Sequence, residues 1–253
     1  MSSKGVALVT GAAQGIGKAV ALRLADDGFD VVVNDISANS DKLDSLVDEI
    51  QNRARRSSKC IADVSQEDQV NAMVEMVVQR HGSLDVMVAN AGVTGGLSLV
   101  EATSEQWDRI MNINGRGTFL CYKYAGIQMI KQGRGGRIIG ASSMAGKQAF
   151  ASQAPYSASK FAVRGLTQAG ALELGAHSIT VNAYAPGAID TPLMASTEAA
   201  TGMAILEMFK EMSPLKKFGV PEDLANLVSF LASKESQFIT GQTISVNGGT
   251  FFD

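Results

Sequence analysis

A phenol and an ammonium stand four residues apart in Ala154-Pro155-Tyr156-Ser157-Ala158-Ser159-Lys160. Residues at that spacing share one face of an α-helix, so the two side chains can meet. A phenol beside a cation can serve as an acid–base pair, because the positive charge favours the phenolate. Two such side chains can also share a helix surface and do no chemistry. The spacing alone leaves both readings open.

A second chemical motif lies near the start, where Val6–Thr10 runs into Gly11-Ala12-Ala13-Gln14-Gly15-Ile16-Gly17 and then a helical stretch. Glycines at such a junction permit a tight turn and let backbone N–H groups approach a pyrophosphate. The helix N-terminus adds a dipole that favours the anion. The order is Gly-x-x-x-Gly-x-Gly, unlike the commoner Gly-x-Gly-x-x-Gly fingerprint. Asp35, at the end of the next strand, can accept hydrogen bonds from the adenosine ribose hydroxyls and would repel a 2′-phosphate. Gln14 is neutral, and no Arg or Lys follows Asp35 immediately. These residues predict NAD(H) over NADP(H).

A scaffold must bring the two motifs together. Val6–Thr10, Val31–Asn34, Lys59–Ala62, Val86–Ala89, Arg137–Ala141, Ile179–Tyr184 and Thr243–Val246 read as strands. Several are apolar on both faces, as in a parallel sheet covered on each side. Gly17–Asp27, Asp41–Arg56, Glu67–Arg80, Ser104–Lys131, Tyr156–Ala176 and Glu222–Ser233 carry helical spacing. The alternation predicts one α/β domain over 1–253, a doubly wound parallel seven-stranded sheet of Rossmann type. The connection from Pro186 to Pro221 is too long for a simple loop. Its apolar residues, including Met203, Leu206, Met208 and Phe209, suit a lid at about 188–220 or an extra helix packed on the sheet.

Composition narrows the class. The chain has 253 residues, is 45% hydrophobic and carries a formal net charge of −3, so it lacks the basic footprint of a nucleic-acid binder. Arg53, Arg55 and Arg56 follow an acidic stretch and read as a solvated helix end. No run of eighteen apolar residues exists, and the opening lacks a signal-peptide pattern, so a cytoplasmic protein without a membrane span is expected. Cys60 and Cys121 have no metal-binding or disulfide spacing and read as buried free thiols. His81 and His177 follow helices and read as partners of the C-terminal dipole. Trp107 and the methionines of Met73–Met87 read as core, and Gly133-Arg134-Gly135-Gly136-Arg137 as a turn.

Thr10-Gly11-(x3)-Gly15-Ile16-Gly17, Asp63-Val64, Asn90-Ala91-Gly92, Asn114, Ser143, Tyr156-(x3)-Lys160 and Pro186-Gly187 resemble, in order and spacing, the motif series of the short-chain dehydrogenase/reductase family. The resemblance spans essentially the whole chain. Tyr156 to Gln168, with Thr240-Gly241-Gln242, further resembles the acetoin/diacetyl reductase (2,3-butanediol dehydrogenase) branch. The resemblance implies Tyr156 as general acid/base, with its phenol drawn down toward working pH by Lys160 and by a positive nicotinamide. It implies that Lys160 also holds the nicotinamide ribose and Ser143 the substrate oxygen. Asn114 matches the family's asparagine of the proton relay; Asn112 competes, but the following Gly117-Thr118-Phe119-Leu120 favours Asn114. Asp63 and Val64 would flank the adenine, and Asn90, Ala91 and Gly92 the ribose and pyrophosphate. Pro186, Gly187, Ile189 and Thr191 would face the nicotinamide, and a homotetramer is implied. Ala125, Gly126, Ala162, Gly165, Ala169, Gly170 and Ala171 suit close packing at such an interface.

The implied reaction interconverts a secondary alcohol and a ketone, on a small hydroxy-ketone, diketone or diol. Where the acetoin reductases carry Gln after the catalytic serine and Asn near the end of the following loop, this chain has Met144 and Phe150. Its pocket should therefore be less polar and admit bulkier carbonyls. Met144, Gln148, Phe150, Gln153, Gly187 and Met194 are the expected lining, with Ser143 and Tyr156. A 3-oxoacyl-thioester reductase is a competing reading, weakened by Asp35 and by the lack of a basic patch for a carrier protein. A non-catalytic dinucleotide sensor is another, weakened because all four catalytic residues are kept.

Overall fold

Short β-branched runs form the strands of the computed structural model, which describes residues 3–96 and 98–252. They are β1 (Val6–Thr10), β2 (Asp30–Asp35), β3 (Ser57–Ile61), β4 (Val86–Ala89), β5 (Gly136–Ala141), β6 (Ile179–Pro186) and β7 (Thr243–Val246). All pair in parallel, in the order β3-β2-β1-β4-β5-β6-β7. The winding reverses between β1 and β4, and such a switch point opens a crevice at the carboxyl ends of the strands.

Helices cover both faces: α1 (Gly15–Asp26), α2 (Ser40–Gln51), α3 (Glu67–His81), α4 (Ser104–Ile110), α5 (Gly117–Gln132), α6 (Ala154–Leu174) and α9 (Pro221–Ala232). The side-chain period of two divides each strand between two cores. Ala7, Val9, Val31 and Val33 pack with Leu24, Leu43, Leu46 and Val228 of α1, α2 and α9. Val6, Leu8 and Val32 pack on the other face with Met73, Val77, Leu120 and Met129 of α3 and α5.

Several expectations change. The helix expected over Asp41–Arg56 stops at Gln51, because Ala54 takes a left-handed φ of 57°. Arg53, Arg55 and Arg56 lie beyond it, donating to the carbonyls of Glu49, Gly28 and Arg80. The single helix expected over Ser104–Lys131 is interrupted by a π-helical turn at Met111–Arg116. Strand β3 begins two residues earlier than expected, paired along β2 from Val31 to Asp35. Trp107, expected in the core, is 41% exposed, whereas Met73 and Met87 are buried. Cys60 is half-buried and Cys121 buried, both free. The His81 imidazole bonds Ser58 Oγ at 2.8 Å, and burial lowers its pKa, so it is no cationic partner of a helix end. The long connection forms two helices, α7 (Pro192–Thr201) and α8 (Ile205–Met212), and α8 has no buried side chain.

Candidate active site

The crevice at the switch point is a cleft of about 570 Å³. Its floor is the glycine turn after β1. Gly11 and Gly15 have φ of 62° and 55°, a region L side chains rarely adopt. A Cβ at Gly11 would lie 2.8 Å from Ala91 Cα, and one at Gly17 would run into the Gly11 carbonyl oxygen. The turn is locked from β4: Asn90 Nδ2 donates to the carbonyls of Thr10 (2.8 Å) and Gly11 (3.1 Å). Tyr184 of β6 fixes that amide, its hydroxyl donating to Asn90 Oδ1 at 2.7 Å. Thr10 Oγ1 accepts from the Asn90 and Ala91 amides at 3.0 and 3.1 Å.

At the β2 end of the cleft, Asp35 is held by three hydrogen bonds. Its Oδ2 accepts from Ala13 N at 3.2 Å, and its Oδ1 from Ile36 N and Asn39 Nδ2 at 2.8 and 2.9 Å. Gln14, neutral itself, accepts from Lys42 Nζ at 2.8 Å, so a cation unseen in the sequence pattern stands near this rim. Asp63 and Val64 line the same cleft, as do Ile16, Gly92, Lys160, Pro186 and Thr191. Backbone open to the cleft, a helix N-terminus and a carboxylate at the end of the second strand fit a dinucleotide.

Tyr156 and Lys160 project from the first turns of α6, which begins with Pro155 in its first turn. Ser143 follows β5; its hydroxyl stands close enough to the Tyr156 phenol to favour the phenolate, and it accepts from Ala145 N at 3.1 Å. Lys160 is buried, its Nζ donating to the Ala141 carbonyl at 2.8 Å and standing 5.5 Å from the Tyr156 ring centroid. The π turn places Asn114 against this group. Its Oδ1 accepts from Val93 N at 2.8 Å, and its Nδ2 donates to Val93 O and to Ser159 Oγ at 2.9 and 3.0 Å. Asn114 thus ties the loop after β4 to α6, while Asn112 is exposed. The four expected catalytic residues converge.

A second cavity, about 460 Å³, adjoins the cleft and shares Ile16, Tyr156, Pro186, Thr191 and Leu193 with it. Ser143, Met144, Phe150, Gln153, Gly187 and Met194 line it as expected, and Ile189, expected beside the nicotinamide, lies here too. Gln148 does not. The chain turns outward after Met144–Gly146, leaving that side chain exposed.

A family model described as enoyl-(acyl carrier protein) reductase matches residues 11–250. A short-chain dehydrogenase/reductase of Armillaria gallica is 53% identical over 98% of this chain and 96% of its own. The 3-oxoacyl-[acyl-carrier-protein] reductase FabG of Staphylococcus aureus is 42% identical over 97% of each chain. The solved structure of acetoin dehydrogenase YohF from Salmonella typhimurium superposes with a TM-score of 0.87, at 35% identity, over 99% of this chain and 97% of that one. The chain belongs to the short-chain dehydrogenase/reductase family.

Members of this oxidoreductase family use nicotinamide dinucleotides. The lowering expected of Tyr156 rests on Lys160 and on a positive nicotinamide; in the protein alone burial dominates. Burial pushes the Tyr156 phenol up, only partly offset by the Ser143 hydroxyl. The same burial pulls the Lys160 ammonium from 10.5 down to about 8. The short-chain dehydrogenase/reductase motifs also left some lining residues unmarked. Asn39, Val93, Arg109, Ile113 and Tyr184 line the dinucleotide cleft as well. Tyr184 carried no signal, since it reads as an apolar strand residue and its partner Asn90 is 94 positions away.

Proposed function

We propose that this chain interconverts a secondary alcohol and a ketone with NAD(H), using Ser143, Tyr156 and Lys160. The observation carrying the reading is the position of Tyr156: beside Ser143 in the cavity wall, beside Lys160, and at the join of the dinucleotide cleft and the second cavity. A substrate oxygen there meets both hydroxyls. Ser143 orients and polarises it, and Tyr156 gives it a proton in reduction or takes one in oxidation. Lys160 places a positive charge where phenolate must form. A bound nicotinamide supplies or accepts the hydride. Asn114 acts by holding Val93 and Ser159, and so the walls on either side of Lys160.

Asp35 favours NAD(H), since a 2′-phosphate would meet a carboxylate fixed by three hydrogen bonds. We read α7 and α8 as a lid and the assembly as a homotetramer. The acetoin dehydrogenase likeness supports a hydroxy-ketone or diketone substrate, and the FabG likeness a 3-oxoacyl thioester. The carboxylate at Asp35 weighs against the second, because the thioester reductases this family resembles usually prefer NADPH.

Tyr156→Phe tests the core of the reading. Turnover followed at the NADH absorbance should fall at least ~10³-fold, the scale of acid–base catalysis, while NADH binding by fluorescence survives. Wild-type kcat/KM should favour NADH over NADPH at least about a hundredfold. Near wild-type turnover by the variant would overturn the mechanism, and equal rates with both coenzymes would overturn the NAD(H) assignment.

A further inference from the structure

Among the described residues, the second cavity is lined by no Asp, Glu, Lys, Arg or His. Five of the chain's 11 methionines line it. Unbranched thioethers are polarisable and mould to irregular apolar bodies. Met144, directly after Ser143, is buried in the wall, and Met194 reaches in from α7. Phe209 of α8 meets Phe150 edge-on, with ring centroids 6.2 Å apart, and so clasps the loop after Ser143 to the lid. Met208 and Met212 of α8 line the cavity yet remain 43% and 55% exposed. This helix therefore turns much of its apolar face to the cavity.

Size and polarity agree. The volume lies within the roughly 300–1,000 Å³ of sites that enclose drug-sized ligands. A four-carbon hydroxy-ketone would leave most of this apolar wall in contact with water, which is unfavourable in proportion to its area. The described lining holds no charged side chain, so it offers nothing to pair with a charged substituent. The lining's other polar side chains are uncharged: Thr191 and Thr197 bond the backbone of α7, and Thr94, Ser152 and Gln153 complete the set, while Ser143 and Tyr156 offer the paired hydroxyls that suit a carbonyl or hydroxyl oxygen.

We propose that the second cavity takes a bulky, uncharged, largely apolar ketone or its secondary alcohol, of about bicyclic size, with its one oxygen at Ser143 and Tyr156. This rests on the ketone–alcohol reading above. In reduction the carbonyl carbon gains a hydride from NADH and the oxygen gains the Tyr156 proton. The C=O π bond is lost, a C–H and an O–H bond form, and NAD+ leaves as the oxidised product; water reprotonates Tyr156.

The test compares 2-decalone, acetoin and acetoacetyl-coenzyme A as substrates with NADH, and measures 2-decalone binding to the enzyme–NADH complex by fluorescence titration. Decalone should bind, and its kcat/KM should exceed that of either other compound at least about tenfold. Phe209→Ala should lower the decalone value at least about tenfold and leave NADH affinity unchanged, since Phe209 lies outside the dinucleotide cleft. An unchanged NADH affinity also shows that the variant is folded. Decalone bound but not reduced would uphold the cavity assignment and overturn the reaction proposed for it. Turnover of acetoin or the thioester with no decalone binding would overturn the cavity assignment and leave the reaction standing. No decalone binding with no turnover of any of the three would overturn both.

Discussion

Lys160 shows at the scale of one residue how function works against stability. Its ammonium is buried, with a single carbonyl partner at 2.8 Å, and titrates near 8 in the folded chain against an ordinary 10.5. A folded value below the unfolded one means that the penalty is fully present below pH 8. It fades between 8 and 10.5, where the unfolded chain still binds a proton that the folded chain has released, so stability rises with pH across that window. At roughly 1.4 kcal/mol per tenfold in acidity, the penalty is about 3 kcal/mol at pH 7. Lys160→Met removes it but orphans the Ala141 carbonyl, at about 1–2 kcal/mol. The cofactor-free variant should therefore melt a few degrees above wild type at pH 7, and at or below wild type at pH 10. Thermal unfolding at the two pH values checks this. A variant less stable by the same margin at both would show the lysine to be a structural prop. Legibility differed among these residues. Asp35 could be found from its place at a strand end after the glycine turn, and Tyr156, Lys160 and Ser143 because together they match a family motif series. Tyr184 and Lys42 could not, because they act through Asn90 and Gln14, partners supplied only by the fold.

Elements were legible where their period is regular. The strands and most helices fall close to the expected spans, since alternation and 3.6-residue spacing follow directly from burial. The π turn at Met111–Arg116 was not, because one extra residue in a turn leaves the surrounding apolar pattern almost unaltered. It brings Asn114 to the active site. The long connection was recognisable as unusual, but its division into α7 and α8 was not. Thr191 Oγ1 caps α7 by accepting from Met194 N, and Gly202, with φ of 66°, ends it. With no buried side chain on α8, little holds this segment shut except Phe209 on Phe150. If it is a lid, amides over 195–211 should exchange quickly without ligand and slow when NADH and a substrate analogue bind. β6 and β7 should stay protected in both states, because they lie in the sheet. Equally slow exchange of 195–211 with and without ligand would mark α7 and α8 as a fixed covering and remove the gating role.

At the scale of the whole molecule, what remains is the surface that the fold does not cover. The small residues noted in the sequence run from buried to exposed, with Ala162 half-buried between. Ala125, Gly126 and Ala171 are buried within the chain: a Cβ on Gly126 would lie 3.2 Å from Leu174 Cδ1, so this pair seats α5 on α6. Gly170 faces Val181 of β6 in the same way. Only Gly165 and Ala169 are exposed, and a Cβ on Gly165 would meet nothing. On α6 they stand between Phe161 and Leu172, the latter 86% exposed, at the i, i+4, i+8, i+11 spacing of one helix face. Phe119, Ile127 and Ile130 form a matching outward stripe on α5, with Trp107 exposed on α4. Large apolar side chains gathered on one face with small residues between them suit close helix packing against another copy. In the homotetramer proposed above this face would form one interface, and the wild-type protein should run as a tetramer in light scattering at micromolar concentration. Phe161→Arg, which places a charge in the middle of the α6 stripe, should shift it to smaller species, because an unpaired charge buried at an interface is strongly unfavourable. Phe161 lines neither cavity, so NADH affinity should be retained and would show that the smaller species is folded. A wild-type protein that is predominantly monomeric under these conditions would leave the stripe without a partner copy, while the cleft and catalytic group, built within one chain, would be unaffected.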